Sequence, residues 1–303
     1  MSPRAWVSFA VVSLLWGTPY FLIKVALDGG VSPAFLAWVR VALGASILLA
    51  LAWRAGALGP LRGRFRWLLA FAVAEIAIPM PLIAVGERHV DSSLTAILIA
   101  SAPLFVALLA LRFDASERVR GRRLVGLVVG LGGVAALVGV DVGGRAEELA
   151  GAAAILVAAL CYAIGPMILK SRLAGIDSRA IMGASLGIAV VLLAPFAAAA
   201  PPAAMPGPPA LAALAALGLL CTTLAMTLFG SLIAEVGAGR ALVVTYIAPV
   251  VAVAAGVLVL GERPGPGAAL GLALILAGSW LSTATPRGAR PPSAPPAPSA
   301  RPG

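Results

Sequence analysis

Residues 91–111 read DSSLTAILIASAPLFVALLAL. The stretch opens on a capping Asp-Ser-Ser, stays apolar for about the 20 residues that a helix needs to cross a bilayer, and carries Pro103 near its middle. The same design returns 146 residues later in residues 237–260, GAGRALVVTYIAPVVAVAAGVLVL, where Ala102-Pro103 becomes Ala248-Pro249. In a water-exposed helix such a proline costs about 3 kcal/mol. In a membrane bundle a neighbouring helix or hydroxyl satisfies the freed carbonyl, so the proline is tolerated. Two such helices at a fixed offset indicate a duplicated chain.

The composition agrees. Of 303 residues 61% are hydrophobic and only 11% charged, with a mean hydropathy of +1.04. A soluble domain carries about 25% charged residues, so a soluble domain is excluded. The net charge of +10 lies in short clusters between apolar runs, without the basic face and interleaved aromatics of a nucleic-acid binder. Cys161 and Cys221 both fall within apolar runs, which argues against a disulfide framework. The first run follows Arg4 but is too long for a signal peptide and lacks a small-residue cleavage site, so it reads as a retained helix.

Ten runs are long enough to span: 6–27, 33–53, 66–86, 92–111, 122–140, 149–169, 180–200, 210–234, 241–260 and 267–285. The linkers are short and rich in Gly, Pro, Asp or Arg. Residues 286–303 hold seven prolines and three arginines and read as a disordered cytoplasmic tail. With the N-terminus inside, seventeen Lys and Arg residues fall on the cytoplasmic side, among them Arg54, Arg62, Arg64, Arg118, Arg120 and Arg172. Four fall outside (Lys24, Arg88, Arg145 and Arg263), and Arg40 lies within the second helix. This bias places both termini in the cytoplasm of a multi-pass protein of the inner (plasma) membrane.

The repeat extends through both halves. At the offset of 146, Trp16 meets Tyr162, Lys24 meets Lys170 (the two lysines of the chain) and Pro103 meets Pro249. After a one-residue deletion Glu117 meets Glu262 and Gly126 meets Gly271. Each half has five helices, an odd number, so the second enters the membrane upside down. The loop charges are rewritten to match: the arginine-rich stretch before the fifth helix becomes GERPGPG before the tenth. The fold expected is an all-α integral membrane protein of ten transmembrane helices in two inverted-topology repeats, residues 1–145 and 146–285. That design belongs to secondary transporters, with a solute site between the halves.

The order of motifs resembles the drug/metabolite transporter superfamily, in particular its EamA-type ten-helix transporters. The residues that carry the resemblance are Trp16-Gly17-Thr18-Pro19-Tyr20, Arg40, Gly86-Glu87-Arg88-His89-Val90, Ala102-Pro103-Leu104-Phe105 and Leu260-Gly261-Glu262-Arg263. They span residues 6–282. The first half departs from the Leu-Gly-Glu-Arg form with Asp114-Ala-Ser-Glu117-Arg118, so no role is carried over to that loop. The resemblance implies a bundle that moves small organic metabolites or drugs, often outward, through a cavity lined by helices other than the fifth and tenth.

Candidate site residues follow. Trp16, Tyr20, Tyr162 and Tyr246 lie well inside their runs, away from the interface belts. They are either packed bulk or a flat wall for an organic solute. Pro19, Pro103, Pro166 and Pro249 are candidate kinks or hinges. Gly126 with Gly130, and Gly267 with Gly271, have GxxxG spacing suited to close helix packing, within the chain or between subunits. Arg40 and Glu75 align with Leu186 and Cys221, so neither charge is a by-product of the duplication. Either Arg40 reaches outward to the interface while Glu75 stays protonated against a neighbour's backbone, or both face the cavity, pairing when it is empty and parting to hold solute or a proton.

Rival classes lack their signatures. An intramembrane protease or similar enzyme needs HExxH or paired helix aspartates, and the chain has one histidine, His89, in a loop. A channel calls for polar rings about a symmetric pore. No phosphate-binding glycine loop is present, so ATP is not a direct driver. The expectation is a secondary transporter without metal or cofactor. Its partners are a small-molecule solute and the lipid bilayer, with protons as the candidate coupling ion, in a monomer or weak dimer that does not bind nucleic acid.

Overall fold

The computed structural model describes residues 1–113, 121–142 and 145–283. The loop at 114–120, with Asp114, Glu117, Arg118 and Arg120, and the tail at 286–303 lie outside the described residues. Among the described residues there are ten helical spans and no strand. They are α1 (Pro3–Asp28), α2 (Pro33–Arg54), α3 (Phe65–Gly86), α4 (Ser92–Leu111), α5 (Arg122–Val142), α6 (Ala146–Arg172), α7 (Ser178–Ala199), α8 (Pro208–Val236), α9 (Val244–Val259) and α10 (Pro266–Thr283). Local chemistry sets several starts. Ser2 and Ser32 cap α1 and α2 by accepting from the Ala5 and Phe35 amides at 3.1 and 3.3 Å, and a proline follows each cap. Large apolar side chains such as Trp53, Val191 and Leu258 stand on the outside of the bundle, as a lipid solvent requires.

The most extensive helix pairings recur when the two halves are exchanged. Helix α1 packs on α8 and α9, and its partner α6 packs on α3 and α4. Helix α2 lies on α8, and α7 on α3. The pairs α2–α7, α4–α9 and α5–α10 map onto themselves. A two-fold axis relating the halves produces this pattern.

The prolines act in two ways. Pro19 divides α1 after Thr18, and the break at Ala100–Ser101 divides α4 just before Pro103. Pro166 and Pro249 sit within continuous helices. The ninth run, 241–260 in the sequence reading, begins as a helix only at Val244, and a separate short helix, Ala238–Ala241, precedes it. Bonds from the amides of Val243, Thr245 and Tyr246 to carbonyls three residues back tighten the chain between them.

Two irregularities have no sequence signal. Helix α3 contains a π-helical segment, Val73–Ala77, and α8 contains another, Ala216–Leu224. At the repeat offset the first falls inside the second, so the feature is shared by both halves. The first holds Glu75 and the second Cys221, the residues that the repeat aligns.

Helices α5 and α10 cross with backbones nearly touching. A Cβ on Gly126 would meet Leu281 and the Gly278 carbonyl, and one on Gly271 would meet Leu137. Gly130 makes room for Leu104 of α4, and Gly267 for the Asp141 carboxylate. The GxxxG faces are therefore turned inward on this chain. Gly133 and Gly278, outside both GxxxG pairs, belong to the same crossing.

One end of the bundle is tied by carboxylates. Glu262, after α9, accepts from the Ser92 and Ser93 amides at 2.8 and 3.0 Å and from the Ser93 hydroxyl, capping α4 from the other half. Asp141, at the end of α5, accepts from the Gly267 amide at 3.0 Å at the start of α10. Anions suit helix N-termini, where free amides and the dipole both attract them. The opposite end is basic: Arg64 donates to the Arg172 carbonyl, and Arg66 and Arg172 stack on Trp67 at 5.0 and 4.5 Å.

Candidate functional site

The second half of α1, Pro19–Asp28, carries Tyr20 and Lys24 four residues apart and therefore on one face. Tyr20 and Tyr162 of α6 pack on the same apolar cluster between the halves, which includes Ile23, Leu36 and Ala158. Arg40 of α2 is close enough to act electrostatically on Tyr20, Tyr162 and Glu87. Its Nε donates to the Thr222 hydroxyl at 3.1 Å. Thr222 lies in the π segment of α8 and donates in turn to the Leu217 carbonyl, five residues back, at 2.9 Å. That segment thus presents a hydroxyl to Arg40. Gly218, on the same segment, admits Leu43 and brings α2 close. The rest of the guanidinium finds no hydrogen-bond partner among the described residues.

The arrangement contains a residue that the motif reading quoted without giving it a role. Glu87, just past the end of α3, is fully buried, and neither carboxylate oxygen has a hydrogen-bond partner. Burial pushes its pKa well above the usual carboxylate range. Lys24 and Arg40 pull it down, and Glu262 pushes it up. Lys24 does not pair with this carboxylate; its Nζ donates to the Glu87 main-chain carbonyl at 3.0 Å. One signal was available: a helix C-terminus disfavours an anion, so a glutamate there asks for another reason. A cleft of about 330 Å3, lined by Lys24, Asp28, Ser32, Glu87 and Arg88, opens at this end.

The other candidates separate. Glu75 does not meet Arg40. Its carboxylate rests on α6 at Gly165, where a Cβ would strike it, and one of its oxygens is buried without a partner. Cys161 and Tyr162 of α6 lie within its electrostatic reach. The π segment turns Glu75 towards α6, while Arg40 faces α8 and α1, so Tyr162 lies between the two charges. In the equivalent place of the other half, Cys221 meets the Thr18 hydroxyl at 3.6 Å. Trp16 packs on Phe229 of α8 with ring centroids 4.6 Å apart, and Tyr246 lies in α9. Among the described residues no cluster of His, Cys, Asp or Glu is suited to a metal.

Comparison with known proteins agrees with this architecture. The profile of the EamA-like transporter family matches residues 4–139 and 149–284. The chain is 31% identical over 286 residues to a probable terminal-alkyne amino-acid exporter of Streptantibioticus cattleyicolor, covering 93% of each chain. It is 29% identical over 257 residues to the inner membrane transporter YedA of Escherichia coli, covering 82% of this chain and 80% of YedA. A crystal structure 21% identical in sequence has a TM-score of 0.66 and covers 93% of this chain and 98% of its own, so the fold is shared. The family consists of transporters and not enzymes. This chain belongs to the EamA-like transporter family, within the drug/metabolite transporter superfamily, as a multi-pass membrane protein of two five-helix repeats.

Proposed function

We propose that this transporter is a secondary carrier that exports small organic solutes bearing a carboxylate, by alternating access of one site between its halves. The observation that carries the reading is Arg40. A cation at the centre of a membrane helix costs about 2.5–3.5 kcal/mol, yet this one is held by a single hydrogen bond to Thr222 and stands beside Tyr20 and Tyr162. Guanidinium is a strong donor to carboxylates, and the two phenol rings offer apolar wall with polar tips. The similarity to a protein named as an amino-acid exporter supports both the outward direction and an acidic group on the solute. The arginines at one end of the bundle and the carboxylates at the other support cytoplasmic termini. The inward-turned glycines of α5 and α10 support a monomer.

The test is efflux from proteoliposomes loaded with mixed metabolites, with and without a pH gradient. In this assay Arg40→Gln should lower transport of carboxylated solutes by at least about tenfold, the loss expected for a hydrogen bond to a charged group. Equal transport by a folded Arg40→Gln protein would end the reading.

Protons are the proposed coupling ion and Glu75 their carrier. Its carboxylate lies at membrane depth with one oxygen unpartnered, against glycine, and no ion pair holds it among the described residues. Such a group is easier to hold neutral than charged, and movement of α3 against α6 would change its access to water. Glu75→Gln keeps the shape and cannot release a proton. It should abolish accumulation driven by a pH gradient while solute exchange continues. Unchanged dependence on the gradient would leave Glu75 a structural residue.

A further inference from the structure

Four side chains at the basic end of the bundle stand together without an acid among them. Helix α3 opens with Arg64 at its cap and Arg66 in its first turn, and no side chain caps it or brings a carboxylate to that turn. A cation is disfavoured at a helix N-terminus, where free amides already point outward, so two of them there ask for another reason. Arg172, in the last turn of α6, comes to the same place from the other half. Its carbonyl accepts from Arg64, and its guanidinium stands over the Trp67 ring at 4.5 Å, where Arg66 stands at 5.0 Å. One indole thus carries two cations, no further apart than about the 10 Å Debye length of 0.1 M salt, so each feels the other. Among the described residues none of the three arginines is in an ion pair, and Asp177, past the end of α6, is taken by Arg179 at 2.8 Å.

The surroundings indicate which anion the cluster suits. Trp67 packs on an apolar cluster of α3, α6 and α7 that includes Leu68, Leu173 and Ile181. Phe65, two residues before it, is 64% exposed, and Leu169, one turn before Arg172 on the same face of α6, is exposed as well. In a chain that crosses a bilayer, exposed Phe and Leu side chains meet acyl chains, and a half-buried Trp beside them marks the headgroup level. The guanidiniums are therefore set at the depth of the lipid phosphates, whose oxygens match the guanidinium fork. We propose that Arg64, Arg66 and Arg172, gathered around Trp67, hold the phosphate of an anionic phospholipid headgroup across the contact between α3 and α6. Phosphatidylglycerol, with a net negative headgroup, fits; phosphatidylcholine, whose ammonium cancels the phosphate charge, does not. The lipid ties the start of α3 in one half to the end of α6 in the other, whatever solute the carrier moves.

The test is quenching of tryptophan fluorescence by lipids with brominated acyl chains, phosphatidylglycerol against phosphatidylcholine, added to the full chain in neutral detergent micelles. Trp67→Phe isolates the signal of Trp67 by difference. At Trp67 the wild type should take up the anionic lipid about a hundredfold more tightly, the effect of three cations near a headgroup. Arg172→Gln should lower that ratio about fivefold, and Arg66→Gln with Arg172→Gln should bring it below about tenfold. Arg4→Gln removes a charge from the same end on α1, which packs on α8 and α9 instead, and should leave the ratio within about twofold of the wild type. A wild-type ratio below about tenfold overturns the proposal, whatever the variants do. So does a loss in Arg4→Gln as large as in Arg172→Gln, because the lipid then reads the net charge of that end and not this cluster. Displacement of the lipid by inorganic phosphate in large molar excess, against sodium chloride of equal ionic strength, would show a site for free phosphate and would also overturn it.

Discussion

Gly278→Val should leave no stably folded transporter. A Cβ at Gly278 would lie within 2.6 Å of the Gly126 carbonyl oxygen and press as closely on the Gly130 backbone. A flexible side chain can turn away from such a clash, but two helix backbones can only separate. Overpacking in a tight core costs about 1–3 kcal/mol and sometimes more. Parting α5 from α10 would also strip the contacts at Gly126, Gly133 and Gly271, so a loss beyond about 3 kcal/mol is expected, at the upper end of that range. Lipid gives no hydrophobic drive to bring the pair back together, because close packing is itself much of what holds membrane helices. Gly132→Val is the control, since a Cβ there meets nothing within 4 Å. Size-exclusion profiles and thermal unfolding in detergent should separate the two variants. If they behave alike, the close crossing of α5 and α10 is wrong.

Glu262→Ala should produce the second largest loss. One carboxylate holds two amides and a hydroxyl at the start of α4, and it does so from the other repeat. Each hydrogen bond to a charged group contributes about 1.5–3 kcal/mol, and the bonds share one acceptor, so the total expected is about 3–5 kcal/mol. The geometry also depends on Gly256, where any side chain would collide with Glu262 and Ser93. The effect carries a pH signature. Burial alone would raise the Glu262 pKa, but the bonds from Ser93 and Ser92 outweigh it and hold the carboxyl below its ordinary value. A lowered folded-state pKa gives stability that is fully present above the unfolded value, about 4.3 for glutamate, and lost as the pH falls through the folded value. Thermal midpoints measured from pH 7 down to pH 3 should therefore converge for wild type and Glu262→Ala at the acid end. A constant gap across that range would show that the charge on Glu262 contributes nothing.

The ten spans, the duplication and the family were legible in the residues, for reasons that need no tertiary structure. A bilayer demands about 20 apolar residues per crossing, so the hydropathy of the chain counts its own helices. Pro103 with Pro249, Lys24 with Lys170 and Gly126 with Gly271 preserve the register of a duplication even where most positions have drifted. The direction in which each side chain faces was not legible. In a soluble helix the polar face points to water and reveals the orientation, whereas here lipid and protein interior are both apolar and the helices are nearly uniform around their circumference. Arg40 and Glu75 could be placed at depth by counting, but not turned towards one another. The π segments decided that. Each inserts residues into the helical ladder and rotates everything beyond it, carrying Glu75 against Gly165 and setting Thr222 beneath Arg40. Glu87, which acts on the same site only through its charge, lies past the end of a helix at a position that chain folding alone buries. The sequence by itself determined the number of crossings and their inverted order; the tertiary structure decided what each buried charge faces, setting Glu75 on Gly165 and Arg40 on Thr222, because only packing fixes rotation about a helix axis when both of its surroundings are apolar.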